Sequence, residues 1–145
     1  MATFERFEDL QVWKTSRVLT NLVYDLTNKG TFAHDYGLKQ QIQRASVSIM
    51  SNIAEGFESQ TQSLFINYLG RAKGSAGEVR SQLYIALDRK YLSETEFNKA
   101  FKLARDCSRQ LHGFMEYLKS QPNISRVRED DSDYEIESSI FNIQS

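Results

Sequence analysis

LKQQIQRASVSIMSNIAEG, residues 38–56, carries two helical stripes of opposite character. Leu38, Ile42, Ala45, Ile49 and Ile53 recur every three or four positions, the spacing of one buried helix face. Gln41, Arg44, Ser48, Asn52 and Glu55 recur at the same spacing, rotated around the helix. A solvated face favours long Lys and Glu side chains, which propagate a helix better than Ser or Asn. Short polar groups instead let another helix or another subunit approach closely. The stretch predicts a helix ending near Gly56, with one face in a core and an adjacent face against protein.

Three further helices flank it. The first is expected from about Glu8 to Asn28, with Val12, Leu19, Leu22, Val23 and Leu26 on one side. Glu8 and Asp9 suit its positive N-terminal end, and Gly30 suits a stop beyond the last turn. GTFAHDYG, residues 30–37, reads as a loop bracketed by glycines. A third helix is expected after Ser59 and Gln62, read as a capping box, with the stripe Phe65, Leu69, Ala72, Ala76, Val79, Leu83 and Leu87. The fourth starts at the capping box Ser93–Glu96. It continues through Phe97, Ala100, Ala104, Cys107, Leu111, Phe114 and Leu118, with Pro122 just beyond.

Long helices joined by short connections become antiparallel neighbours. The expected fold is all-α, an up-down-up-down antiparallel four-helix bundle over residues 1–120. From Gln121 the pattern is lost, and VREDDSDYEIESS predicts a flexible acidic tail over 121–145 for lack of burial. Ile140, Phe141 and Ile143 give that tail an apolar end suited to docking as a short linear element.

Composition narrows the class. A chain of 145 residues fits one domain with a true core, and nine Phe and seven Tyr supply bulk for it. One Pro and seven Gly leave too few turn formers for a β-sandwich. No apolar run approaches the roughly 20 residues that span a membrane, and MATFERFEDL lacks the apolar core of a secretory signal. A single cysteine, Cys107, excludes an intramolecular disulfide framework. A cytoplasmic protein with no membrane partner follows as the expectation. Residues 1–120 hold 16 Lys/Arg against 13 Asp/Glu, and 121–145 hold 2 against 6. A body at +3 lacks the large basic excess of strong non-specific nucleic-acid binders.

FEDLQVWKTSRVL (7–19), GLKQQIQRASVSIMSNIAEGF (37–57) and FINYLGRAKGSAGEVRSQL (65–83) together resemble a four-helix bundle family. That family includes the proteins encoded by intervening sequences in bacterial 23S ribosomal RNA genes. The accessory proteins of diversity-generating retroelements form a related branch. The resemblance covers about residues 4–119, and its motif falls on Arg44, Ser48, Asn52, Glu55 and Gly56, then on Gly74, Ser75 and Glu78. It implies a small bacterial bundle assembling into a ring or barrel of five subunits, with no established catalytic activity and a suggested role in binding nucleic acid or a nucleic-acid enzyme. In the retroelement branch a basic surface is thought to engage RNA and a reverse transcriptase. The pI of 6.1 and the acidic tail set this chain apart from that branch.

On the third helix Arg71, Ser75, Glu78 and Gln82 make a second polar stripe. If the two middle helices pack antiparallel, Arg44 with Glu78, or Arg71 with Glu55, become candidate ion pairs within the chain or across a subunit contact. Such pairs fix register and partner choice more than they stabilise. Gly74, Ser75, Ala76 and Gly77 lower helix propensity, which makes sense where backbones approach closely. Arg44, Ser48, Asn52, Glu55, Arg71, Ser75 and Glu78 are therefore the candidate assembly residues.

The basic series Lys99, Lys102, Arg105 and Arg109, with Arg89 and Lys90 nearby, is the candidate nucleic-acid face, suited to successive phosphates. Neither His34 nor His112 follows a Glu by three residues, so a di-iron carboxylate bundle is not indicated. Two His and one Cys are too few for an ordinary structural zinc site, and GSAG lies in a helical pattern, unlike a phosphate loop. No catalytic residue, metal or cofactor is therefore expected. The sequence points to a non-enzymatic homo-oligomeric interaction or scaffold protein, associated with RNA or an RNA-processing enzyme. Direct sequence-independent nucleic-acid binding along helix four is the alternative.

Overall fold

The computed structural model describes residues 4–122. Four helices follow one another: α1 Gln11–Thr27, α2 Tyr36–Glu58, α3 Gln62–Asp88 and α4 Glu94–Ser120. Short 3-10 turns at Phe7–Asp9 and Gly30–His34 precede α1 and α2, and there is no strand among the described residues. Each helix packs against its two neighbours, α1 against both α2 and α4, so the four close into an antiparallel up-down-up-down bundle. No described helix is long and apolar enough to cross a membrane. The expectations for the acidic tail, including Ile140, Phe141 and Ile143, lie outside the described residues.

The core is built from the stripes read in the sequence. Leu19, Ile49, Ile53, Leu69, Ala76, Val79, Ala104, Cys107 and Leu111 are all fully enclosed. Small residues alternate with large ones along α3 and α4, with Ala72, Ala76, Ala100 and Ala104 in the middle. Close packing at native density leaves these alanines as the positions where helices run nearest.

Two helix starts differ from expectation. Glu8 and Asp9 lie in the separate 3-10 turn, and α1 begins at Gln11. Leu10, 2% exposed, breaks the helix with extended backbone (φ −72°, ψ 127°), because it must turn inward to enter the core. Phe7 braces the turn edge-on against Trp13 at 5.3 Å. At α3 the cap is Thr61, whose side chain accepts the Leu64 N–H at 3.1 Å. Ser59 instead donates back to the Gly56 carbonyl, and Gln62 donates across the bundle to the Leu118 carbonyl at 2.7 Å.

The α4 capping box forms as read. Ser93 Oγ accepts the Glu96 N–H at 3.1 Å, and Glu96 Oε1 accepts the Ser93 N–H at 2.9 Å. Lys29 Nζ lies 2.6 Å from Glu96, tying the end of α1 to the start of α4. The Lys29 ammonium, then the Ser93 N–H, hold the Glu96 carboxyl below its ordinary range. That contribution is present above the unfolded carboxyl's range and is lost as acid titrates the folded group. Ser93→Ala should cost about 1 kcal/mol in urea unfolding at neutral pH, with the m-value unchanged.

The α3–α4 turn closes through Lys90 in left-handed backbone (φ 61°), with Tyr91 N–H reaching the Ala86 carbonyl and Lys90 N–H the Leu87 carbonyl. Tyr91 Oη then donates to Asp35 Oδ2 at 2.9 Å, while Asp35 Oδ1 caps α2 by accepting the Leu38 N–H. One aspartate thus fixes both ends of the α2–α3 pair at this pole.

Candidate functional site

The polar stripes of α2 and α3 meet along one seam. Ser75 Oγ donates to Ser48 Oγ at 2.9 Å, and Asn52 Nδ2 donates to Ser48 Oγ at 3.0 Å and to the Ser48 carbonyl at 2.9 Å. Gln82 Nε2 lies 3.5 Å from Gln41 Oε1. From 41 to 48 and from 82 to 75 is seven residues in each helix, run in opposite senses, so these two contacts fix the antiparallel register. Ser75 is buried, while Ser48 and Asn52 are half-buried at the outer lip. Three short polar side chains therefore close a small network that larger residues would hold apart.

The charged members of the stripes lie outside that network. Arg44, Glu55, Arg71 and Glu78 are all exposed, and none forms a salt bridge among the described residues. The expected pairs Arg44–Glu78 and Arg71–Glu55 are thus not made within the chain. Uncharged Ser48, Asn52, Ser75 and Gln82 occupy the seam, where a charge would lose its hydration, and the arginines and glutamates stay exposed. Arg71 folds instead over the Tyr68 ring at 5.0 Å, a cation–π contact not anticipated from the sequence.

The small-residue turn divides in two. Ser75 and Ala76 face inward and are buried. Gly74 faces outward, and a Cβ there would meet nothing within 4 Å; at Gly77 it would meet only Arg80 Nη2 at 3.7 Å. The close backbone approach within the chain occurs elsewhere, at Gly56, where a Cβ would lie 2.7 Å from Tyr68 Cβ.

On α4, Lys99, Lys102, Arg105 and Arg109 are all exposed. Lys102 is paired with Asp106 at 3.0 Å; the other three make no salt bridge among the described residues. Lys99 joins Lys14 and Arg17 along an open α1–α4 groove floored by Trp13, Leu22 and Leu103, with Glu8 and Asp25 also on its rim. Arg17 lies over the Trp13 ring at 5.8 Å. A second, apolar cleft lies between Leu10 and Val12 on one side and Phe114 and Tyr117 on the other. Neither cleft is lined by Glu55 or Glu78, and both carboxylates are exposed.

Among the described residues no group of three His, Cys, Asp or Glu is placed to hold a metal ion. Cys107 is buried, and desolvation, with a smaller push from Asp106, raises its thiol to about 12. A thiolate is the reactive form. Native protein should therefore leave a thiol reagent such as DTNB unconsumed at pH 8, and release one equivalent of reporter on unfolding in guanidinium.

Leu64 and Ile85 went unnoticed in the sequence. They are 44% and 47% exposed and continue the Arg71–Glu78 column on α3 at seven-residue steps. The heptad interval was legible, but the core stripe of the same helix shares it.

The chain is similar to known proteins in one respect. The family described as "23S rRNA-intervening sequence protein" matches residues 8–113. A crystal structure of a protein of unknown function from the S23 ribosomal protein family of Bacteroides thetaiotaomicron superposes with a TM-score of 0.67. It is 21% identical, and the match covers 72% of this chain and 95% of that one, which supports the shared fold. No match is found among the curated proteins. With its four-helix bundle and a family match across most of its length, the chain belongs to the 23S rRNA-intervening sequence protein family.

Proposed function

We propose that this protein is a non-enzymatic, self-associating interaction module that presents an assembled surface to RNA or an RNA-processing enzyme. One observation carries the self-association. The charged residues of the motif stand on a single α2–α3 face, around a small polar network, and none makes an ion pair among the described residues. The short groups among those charges, Ser48, Asn52 and the outward Gly74, are poorly explained by solubility, which long Lys and Glu side chains serve with better helix propensity. The five-subunit ring implied by the resemblance is the family-like stoichiometry. Size-exclusion chromatography with light scattering tests the reading: a mass several times 16.8 kDa is expected, and a monomer at every concentration overturns it.

A second reading has its own support. Lys99, Arg105 and Arg109 make no salt bridge among the described residues, and Lys99 shares the α1–α4 groove with Lys14 and Arg17. Sequence-independent phosphate contact needs little more. Retention of a generic RNA at low salt should weaken in Lys102→Glu/Arg105→Glu, with a shallower salt dependence. Equal retention by the wild type and that variant would remove this reading.

A further inference from the structure

The two clefts beside α1 and α4 are halves of one groove. On α4, Lys99, Leu103, Gln110, Phe114, Tyr117 and Gln121 recur at steps of three, four or seven, which is one face of the helix. On α1, Gln11, Lys14, Val18, Asn21 and Asp25 recur in the same way. The Lys29–Glu96 pair joins the end of α1 to the start of α4, so the apolar half lies at the opposite pole. The other half holds Lys14, Arg17 and Lys99, with Val18 standing 56% exposed; Glu8 lies before α1 and Asp25 in its last turns. Gln110 lies between the halves along α4, and its buried Oε1 has no hydrogen-bond partner among the described residues. A carboxamide left in that state is costly, and a peptide N–H laid in the groove would satisfy it.

We infer that this groove is the docking site of the chain's own residues 123–133, folded back antiparallel to α4. The described residues end at Pro122, beside Gln121, which lines the apolar half and already has extended backbone (φ −90°, ψ 148°). The segment that follows reads NISRVREDDSD. Lys99 lies 22 residues back along α4 from Gln121, about 33 Å. Extended backbone covers about 3.1–3.3 Å per residue. A chain that reverses just after Pro122 therefore passes Val127 by the apolar half. It then brings EDDSD, residues 129–133, over the stretch bordered by Lys14, Arg17 and Lys99.

Alternation selects the side that faces the groove. In an extended segment Val127, Glu129, Asp131 and Asp133 share one face, while Arg126 and Arg128 share the other. The first face runs from apolar to acidic, and the groove runs from apolar to basic in the same direction. Three carboxylates then meet three cations, and Arg126 and Arg128 are turned toward solvent. Length makes the chain's own segment the occupant. A short tether holds it near the groove at an effective concentration in the millimolar range, which a separate acidic peptide would have to exceed.

The docking holds whether or not the chain self-associates, and a nucleic-acid backbone entering the same groove would have to displace the segment. The test uses the full chain and its single tryptophan, Trp13, which lines the groove. Asp130→Cys carries a nitroxide label on the solvent side of the segment, while Cys107 is buried and stays unlabelled. At low salt the label should quench Trp13 fluorescence by about half or more, because a millimolar effective concentration keeps even a weak site largely filled. Reduction of the nitroxide by ascorbate should restore the emission. The quenching should fade in 1 M salt, where the Debye length is about 3 Å, and Glu129→Gln/Asp131→Asn/Asp133→Asn should lower it at least about two-fold at low salt. Labelled chains carrying Trp13→Phe, refolded together with unlabelled wild type, should leave the wild-type tryptophan unquenched. Quenching in that mixture places the segment on another copy and overturns the inference. So does an unquenched labelled chain at low salt, or quenching that neither salt nor charge removal changes.

Discussion

Gly56→Ala is expected to destabilise the bundle by about 2 kcal/mol, lowering its thermal midpoint by roughly 5–10 °C. The added methyl would stand 2.7 Å from Tyr68 Cβ, 2.9 Å from Phe65 Cδ1 and 3.3 Å from the Phe65 carbonyl oxygen. Two of these three atoms are backbone or directly attached to it, so relief requires α2 and α3 to separate rather than a rotamer to change. Alanine improves helix propensity by up to about 1 kcal/mol, which offsets only part of the overpacking. Gly74→Ala is the internal control, since it brings the same propensity gain with no atom within 4 Å. Chemical denaturation of both variants, in a dilution series, checks the pair. A Gly56→Ala as stable as Gly74→Ala would mean that the helices are not held so close.

These two glycines also mark where the sequence was readable and where it was not. The core stripes were legible because burial repeats every three or four residues, and nearly every stripe residue is enclosed. The Ser93–Glu96 box was legible because both partners lie within one turn. Gly56 read as the end of a helix, yet α2 continues to Glu58 and the glycine serves an interhelical contact. The same residue type fits both uses, and only the position of the neighbouring helix separates them. Glu8 and Asp9 suited a helix start on charge alone, but the burial of Leu10 moved that start to Gln11.

The polar stripes were legible as stripes, and the register between α2 and α3 does bring Arg44 level with Glu78. What the pattern left open was the side of the seam on which each side chain stands. The seam holds uncharged Ser48, Asn52 and Ser75, where a charge would lose its hydration, while the arginines and glutamates stay exposed. A stripe gives the face of a helix; the depth of each residue on that face depends on its neighbour.

Phe65→Ala should be the more damaging substitution, costing about 3–5 kcal/mol, enough to unfold much of a marginally stable domain near body temperature. Phe65 is 1% exposed and meets Phe57 and Phe114 edge-on, at 5.9 and 5.4 Å, so one ring joins α2, α3 and α4. Removing it leaves a cavity among three helices, none of which can collapse without dragging the others. The two substitutions should also couple. In a Phe65→Ala background the alanine at position 56 no longer meets the ring carbon, though Tyr68 Cβ remains. A double-mutant cycle should therefore show Gly56→Ala costing less by at least about 0.5 kcal/mol when Phe65 is absent. Strict additivity would place the strain wholly at Tyr68, and Gly56→Ala would then act by pushing the helices apart rather than by displacing the ring.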